Sequence, residues 1–261
     1  MTTMDCIIAF FCRVDDHMQG LPKPPQATLW PSAVVTLGLR HALKGVGNHA
    51  FDRWLARDSR PLFPHLPERT RLLRRFMTHQ DWTPRFLAAP TLLGVIDTYG
   101  IEWLHPRREG RSCRQIGRQG LAKHRWMVGG KLCLRLHQCG VVVAWACDTA
   151  HVPDSTCQPL IRQVEDHLLI LSDLAFHAAE GAPANLQLGE RGEWHDRLLI
   201  ETVLSMLPLV SHFKKVMHRV WEYFAARLAC TMAASNVLVQ WHGLPADKDG
   251  FVSLSMAEFS L

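Results

Sequence analysis

The chain has no C-x-x-C pair among its eight cysteines, no G-x-x-x-x-G-K-[ST] pattern and no apolar run long enough to span a bilayer. The missing cysteine pair, with no zinc-like spacing to the 15 histidines, argues against a structural zinc site. The missing Walker pattern argues against a P-loop nucleotide site. The apolar stretch 6–12 is short, lacks a preceding basic region and is followed by Asp15 and Asp16. It therefore reads as a core helix, not as a signal peptide or membrane span. D-K-D-G-F-V-S-L at 247–254 imitates a calcium loop, but Pro245 and Met256 occupy positions that require oxygen ligands. The cysteines read as reduced, mostly buried thiols of a cytosolic protein. Hydrophobic content of 48% and charged content of 20% exclude a disordered chain.

The charge present is unevenly placed. Net charge is +5, yet residues 101–135 carry nine Lys/Arg against two Asp/Glu, and residues 136–261 carry eight against 14. A basic front and middle beside an acidic rear fits a polyanion-binding face next to a metal-binding region.

Periodicity divides the chain. Helices are expected over 4–18, from Pro31 to a stop at Gly45, over about 48–58, and from Pro67 to about His79. The last carries Arg69, Arg71, Arg74 and Arg75 among Leu72, Leu73 and Phe76. Residues 1–88 thus read as an all-helical unit with one basic helix. From residue 90 strands appear: 91–97, then 126–137 and 140–147 as a hairpin, then 168–173 and a short edge at 184–188. A helix capped by Asp154 or Ser155 is expected to run to about 167, and two more are expected over about 195–213 and 217–240. This order is that of an α/β fold with an RNase H-like core, a mixed sheet flanked by helices, over 89–243. Residues 244–261 read as a loose tail.

Two acids end apolar strands: Asp97 closes T-L-L-G-V-I-D, and Asp173 closes H-L-L-I-L-S-D. A third, Glu201, lies in R-L-L-I-E-T-V-L-S-M-L, with Arg197 one helical turn earlier on the same face. A lone buried carboxylate is costly unless paired or metal-bound. Three such oxygen ligands suit two divalent ions about 3.5–4 Å apart, the arrangement of two-metal phosphoryl transfer. Between the first strand and the hairpin, residues 105–125 hold Arg107, Arg108, Arg111, Arg114, Arg118, Lys123 and Arg125 against one Glu. These are expected to contact phosphate beside Asp97, with Gly110, Gly117 and Gly120 keeping the loop flexible. Lys131, on the next strand, is also expected to reach DNA phosphate or the metal-bound acids. Asp148 is a candidate for supporting the acids, and Glu190 and Glu193 are rivals for the third position. Tyr99 has no activating base and makes a poor nucleophile.

At these residues the chain resembles a DDE-type bacterial insertion-sequence transposase. The resemblance rests on Asp97, H-P-R-R-E-G-R-S-C-R-Q-I-G-R (105–118), G-G-K-L (129–132), T-A-H-V-P-D (149–154), L-S-D (171–173) and I-E-T (200–202). It extends to the helical part through L-F-P-H-L-P-E-R (62–69). It implies Asp97, Asp173 and Glu201 as catalytic and metal-binding acids holding two Mg²⁺ or Mn²⁺ ions. Cleavage at the element ends would expose a 3′-hydroxyl that attacks target DNA. Arg197, Lys214, Lys215 and the basic helix residues Arg71, Arg74 and Arg75 would bind double-stranded DNA, both terminal repeats and target. A homodimer in the DNA complex, a cytoplasmic, nucleoid-associated location and no membrane are expected.

The pattern also departs from the family. Trp194 stands where the family has tyrosine, Pro208 where it has lysine, and Leu174-Ala175-Phe176 follow the second Asp. Only 28 residues separate Asp173 from Glu201. Two alternatives stay open: an inactive DNA-binding relic, and another RNase H-like nuclease.

Overall fold

Helix α7 (Trp221–His242) is apolar on almost every side, and thirteen of its residues are buried. A helix of that kind belongs inside a protein, and the rest of the chain wraps it. The computed structural model describes residues 3–111, 115–122, 125–166, 168–176, 181–189, 196–210 and 220–243. On one side of α7 lie α2 (Pro31–Lys44), α1 (Thr3–His17) and a 3-10 segment at Gln80–Phe86; on the other lies the sheet. A single apolar cluster joins Phe10 and Leu39 of the N-terminal helices, Phe86, Val141 and Ala233, Ala234 and Val237 of α7. The helices α3 (Asn48–Trp54) and α4 (Arg69–Thr78) enclose a second cluster with α2, around Leu37, Phe51 and Phe76.

The sheet is mixed. Strand β1 (Leu93–Leu104) pairs antiparallel with β3 (Arg125–His137), from Gly94↔His137 to Leu104↔Val128. The other edge of β3 is shared. Its first half pairs with β2 (Arg118–Ala122) and its second with β4 (Val142–Thr149), both antiparallel. On the far side of β1, β5 (Leu169–Ser172) and β6 (Leu186–Leu188) run parallel to it. Side chains alternate across the strands. Val95, Ile101, Trp103, Leu132 and Leu134 meet Ile200, Val203, Leu204 and Leu207 of α6 (Asp196–Val210) on one face. Ile96 and Cys133 meet Leu160, Ile161 and Val164 on the other, around the short α5 (Pro159–Arg162). The result is a mixed α/β protein with helices on both faces of a mixed sheet. No described helix is long and apolar enough to cross a membrane.

Most expected elements appear within a few residues, and Gly45 ends α2 in the left-handed conformation (φ 61°). Four expectations need correction. Strand β1 runs seven residues past Asp97, because Ile101 and Trp103 keep feeding the α6 face. The basic loop contains a strand, β2. There Gly120 is demanded by close packing and not by flexibility, since a Cβ would lie 1.9 Å from Ala150 O. The helix expected over 154–167 is only a 3-10 turn (Asp154–Cys157) and one turn of α5. Its N-cap is Pro153 with no side-chain cap, and Asp154 is drawn to Lys131 instead. The thiols are less buried than expected: of the seven described, all free, only Cys133 and Cys230 are buried. Residues 244–261 lie outside the described residues, as do Cys113, Trp194, Glu190 and Glu193.

The buried Asn236 of α7 bridges the parts. Its Nδ2 donates to Phe86 O (2.9 Å) and Val142 O (2.7 Å), and its Oδ1 accepts from Val142 N (2.8 Å). Ala88 N also donates to Val142 O (3.0 Å), so truncation chiefly strands Val142 N–H and Phe86 C=O. Asn236→Leu should therefore cost roughly 2–5 kcal/mol in urea unfolding. A loss under ~1 kcal/mol would mean that water replaces the amide.

At the β3–β4 turn, Nδ1 of half-buried His137 accepts from Cys139 N (2.9 Å), and burial holds this histidine below the usual imidazole pKa. The unfolded chain therefore binds the proton first. Stability from this site is full above the ordinary value of about 6.5 and declines as pH falls below it. His137→Gln should flatten the loss in urea midpoint between pH 7.5 and 5.5, and an unchanged slope would exclude the residue.

Candidate functional site

The parallel pair β1–β5 sets the geometry of the first two acids. Its register is Leu93↔Leu169, Gly94↔Ile170 and Val95↔Leu171. Ser172 Oγ donates to Ile96 O (3.2 Å), which extends the alignment by one residue. One residue further along this register come Asp97, within β1, and Asp173, just past the end of β5. Both are partly exposed, while the residues leading into them, Val95, Ile96, Leu171 and Ser172, are buried. Asp97 is thus a partly exposed residue within β1, and Asp173 lies just past the end of β5. Strand alternation puts Asp97 on the face of Val95 and Ile101, which α6 covers. Glu201 follows buried Ile200 on that helix and is exposed.

Local hydrogen bonds hold both aspartates. Asp97 Oδ1 accepts from Thr98 N (2.6 Å). Asp173 Oδ1 accepts from Ala175 N (3.0 Å) and so caps the 3-10 turn Leu174–Phe176, whose Phe176 is fully buried. Leu174-Ala175-Phe176 is therefore a structural turn that anchors the strand end. Among the described residues, no three His, Cys, Asp or Glu side chains are gathered closely enough to hold an ion. The donor chemistry still suits a hard cation: one oxygen-only side chain within β1, a second just past the end of β5 and a third on the covering helix.

The basic residues are not beside Asp97, as the sequence suggested. Strand β1 carries the chain seven residues further before the loop begins, about 23 Å at strand rise. Arg107, Arg108 and Arg111 are exposed in that loop, and Arg118 is exposed at the start of β2. The loop is tied down: Gln119 N donates to Glu109 Oε1 (3.0 Å), and Gly110 N to Gln115 Oε1 (2.8 Å). Arg114, Lys123, Lys214 and Lys215 lie outside the described residues, and only the backbones of Arg125 and Arg197 are described. Arg71, Arg74 and Arg75 lie on α4, with Arg75 near Thr28 (3.4 Å), on a different part of the molecule.

Lys131 has another occupation. It shares the β3 face of Cys133, opposite Leu132 and Leu134 and hence opposite α6. Its ammonium donates to Val152 O (2.7 Å) and lies 2.6 Å from Asp154 Oδ1, both side chains largely buried. Asp148 is exposed on β4, with β3 between it and β1, and its Oδ1 accepts from Thr149 N (2.6 Å). Burial pushes the Tyr99 phenol above its usual pKa, further from a nucleophilic state.

Nothing local in the chain marked a pair of thiols, one buried and one half-buried, on the sheet face opposite α6. Cys157 packs against the cluster of Cys133. A hydrogen bond between the two thiols draws Cys157 below the ordinary thiol pKa, while burial raises Cys133. Nor was Arg135 anticipated: it is buried on the same face and donates to Leu160 O. Only the odd-numbered alternation of β3 hinted that these side chains share a face. Compared with known protein families, with characterised proteins and with solved structures, the chain matches none.

Proposed function

We propose that the chain is a DDE-type DNA transposase whose mixed sheet is an RNase H-like core. The observation that carries this reading is the parallel register of β1 and β5, which leads on to Asp97 and Asp173. The antiparallel strands on one side of β1 and the parallel strands on the other support the fold assignment. The helix that brings Glu201 covers the same face as Asp97.

Asp97, Asp173 and Glu201 would hold Mg²⁺ or Mn²⁺, which supplies Lewis acidity to a water or 3′-hydroxyl and to the leaving oxygen. The chain's own part is positional. Buried β1 and β5 position two of the carboxylates. The exposed Arg107, Arg108, Arg111 and Arg118 neutralise backbone phosphates and set the register of the duplex without reading its sequence. Water attack at an element end releases a 3′-hydroxyl. That hydroxyl then displaces the bridging oxygen of a target phosphodiester, with no covalent protein–DNA step.

One observation favours a second reading, a DNA-binding protein without cleavage. An oxygen of each aspartate is already held by backbone N–H. That reading predicts binding that survives Asp97→Asn and no metal-dependent cleavage by the unmutated chain.

The test is cleavage of duplexes carrying the DNA that flanks this coding sequence, with Mg²⁺ or Mn²⁺. Asp97→Ala, Asp173→Ala and Glu201→Ala should each lower cleavage at least a hundredfold with folding retained. Normal turnover in any one removes it from the site, and silence of the unmutated protein with binding intact favours the second reading. Neutralising Arg107, Arg108, Arg111 and Arg118 together should weaken binding and reduce the salt slope by about three to four.

Lys131→Met should behave differently. It leaves Asp154 buried without its cation, which costs on the order of 3 kcal/mol, and should leave the salt slope unchanged. A slope reduced by one would place Lys131 on phosphate instead.

A further inference from the structure

At the end of the sheet away from the acids, two large apolar side chains are left in solvent. Leu121 of β2 is 52% exposed and Trp126 of β3 is 60% exposed. They form a cross-strand pair, Leu121↔Trp126, one position before the last pair of the β2–β3 hairpin. Directly opposed residues of an antiparallel pair share a face. Single exposed apolar residues need no explanation, but a paired indole and isobutyl group at a hairpin end make a projecting apolar edge.

The edge is rigid and sits in positive surroundings. Strand β2 is pressed so closely on the end of β4 that residue 120 has no room for a Cβ. Loop 105–111 is fastened to β2 through Glu109 and Gln119 N–H, which turns the acid of that loop toward backbone. Exposed Arg107, Arg108 and Arg111 stand in the fastened loop, and exposed Arg118 starts β2 on the face opposite Leu121. An apolar edge with exposed arginines in the loop fastened to its strand matches a polyanion that also offers stacked, apolar faces.

We infer that Trp126 and Leu121 form a wedge that inserts between base pairs of duplex DNA while the neighbouring arginines hold its phosphates. This rests on the DNA-binding reading above and goes beyond it. It names a contact with bases, remote from the acids, at a site where side chains can partly unstack one step. An indole face stacks on any base, so the contact is tolerant of sequence and independent of phosphate charge.

The experiment uses the full chain and duplexes with 2-aminopurine placed at successive positions, followed by fluorescence and by affinity at several salt concentrations. Binding should raise fluorescence severalfold at one or two adjacent positions. Trp126→Ala should abolish that rise and weaken affinity roughly tenfold, with the salt slope unchanged. Trp126→Phe should retain most of both, and Leu121→Ala should reduce the rise. Melting temperatures of these variants check that the hairpin still folds.

Binding by the unmutated chain with no positional rise, or with a rise that survives Trp126→Ala, overturns the wedge and leaves the DNA reading standing. Failure of the unmutated chain to bind duplex overturns both. A change in oligomeric state on Trp126→Ala, with DNA binding untouched, assigns the edge to a second copy of the chain and also overturns the wedge.

Discussion

The amide of Asn236 is the constraint on which the arrangement turns. It is fully buried in the middle of α7, yet its bonds reach out of the helix to the segment entering β1 and to the first residue of β4. An apolar helix with no preferred face would otherwise be free to rotate or slide among its neighbours. A buried amide satisfied by backbone on both sides fixes its register, because a shift strands several polar groups at once. The sheet is thereby locked to the same helix that packs against α2. The mixed cluster of Phe10, Phe86, Val141 and Val237 then has only one way to close.

The position of the acids follows from a different feature, the short parallel contact of β1 with β5. Three paired positions and one side-chain bond from Ser172 align the strand ends. Parallel pairs need a crossover, and here the crossover passes through β3, β4 and the turn of α5 before returning beside β1. That path puts Lys131 and Asp154 on one face and Asp97 on the other. The ion pair ties Asp154, at the entry to α5, to the middle of β3. It ties the crossover, and through it the entry to β5, to the middle of the sheet.

Much of this was legible in the sequence. The helix limits at Pro31 and Gly45, the hairpin at 137–142 and the two acids that close apolar runs follow from local rules about proline, glycine and alternating burial. What escaped local reading was set by distant contacts. The continuation of β1 past Asp97 depends on α6, some hundred residues later, supplying Ile200 and Leu204 to cover Ile101 and Trp103. Gly120 looks like a flexible loop residue until Ala150 arrives against it. Asp154 looks like a helix cap until Lys131 competes for it. The first two acids could be found because each closes a locally marked apolar run, although β1 continues past Asp97. The parallel register that leads toward them depends on strand pairing, which no local pattern contains.

The length of β1 bears on how DNA would lie. Seven residues of strand between Asp97 and the end of β1 set the acids and the arginine loop about 23 Å apart. On a duplex that rises 3.4 Å per residue of each strand, this corresponds to about seven base pairs. On the proposed reading, a phosphodiester at the acids and phosphates at Arg107, Arg108 and Arg111 would belong to different parts of one bound duplex, on opposite sides of more than half a helical turn. The loop would then be too far away to stabilise charge at a reacting phosphate, because a Debye length at physiological salt is about 8 Å. Its contribution would be to binding and register, and charge developing at a reacting oxygen would have to be met locally, at the acids. The length of β1 would thus impose a division of labour between a remote cationic anchor and a local anionic pair.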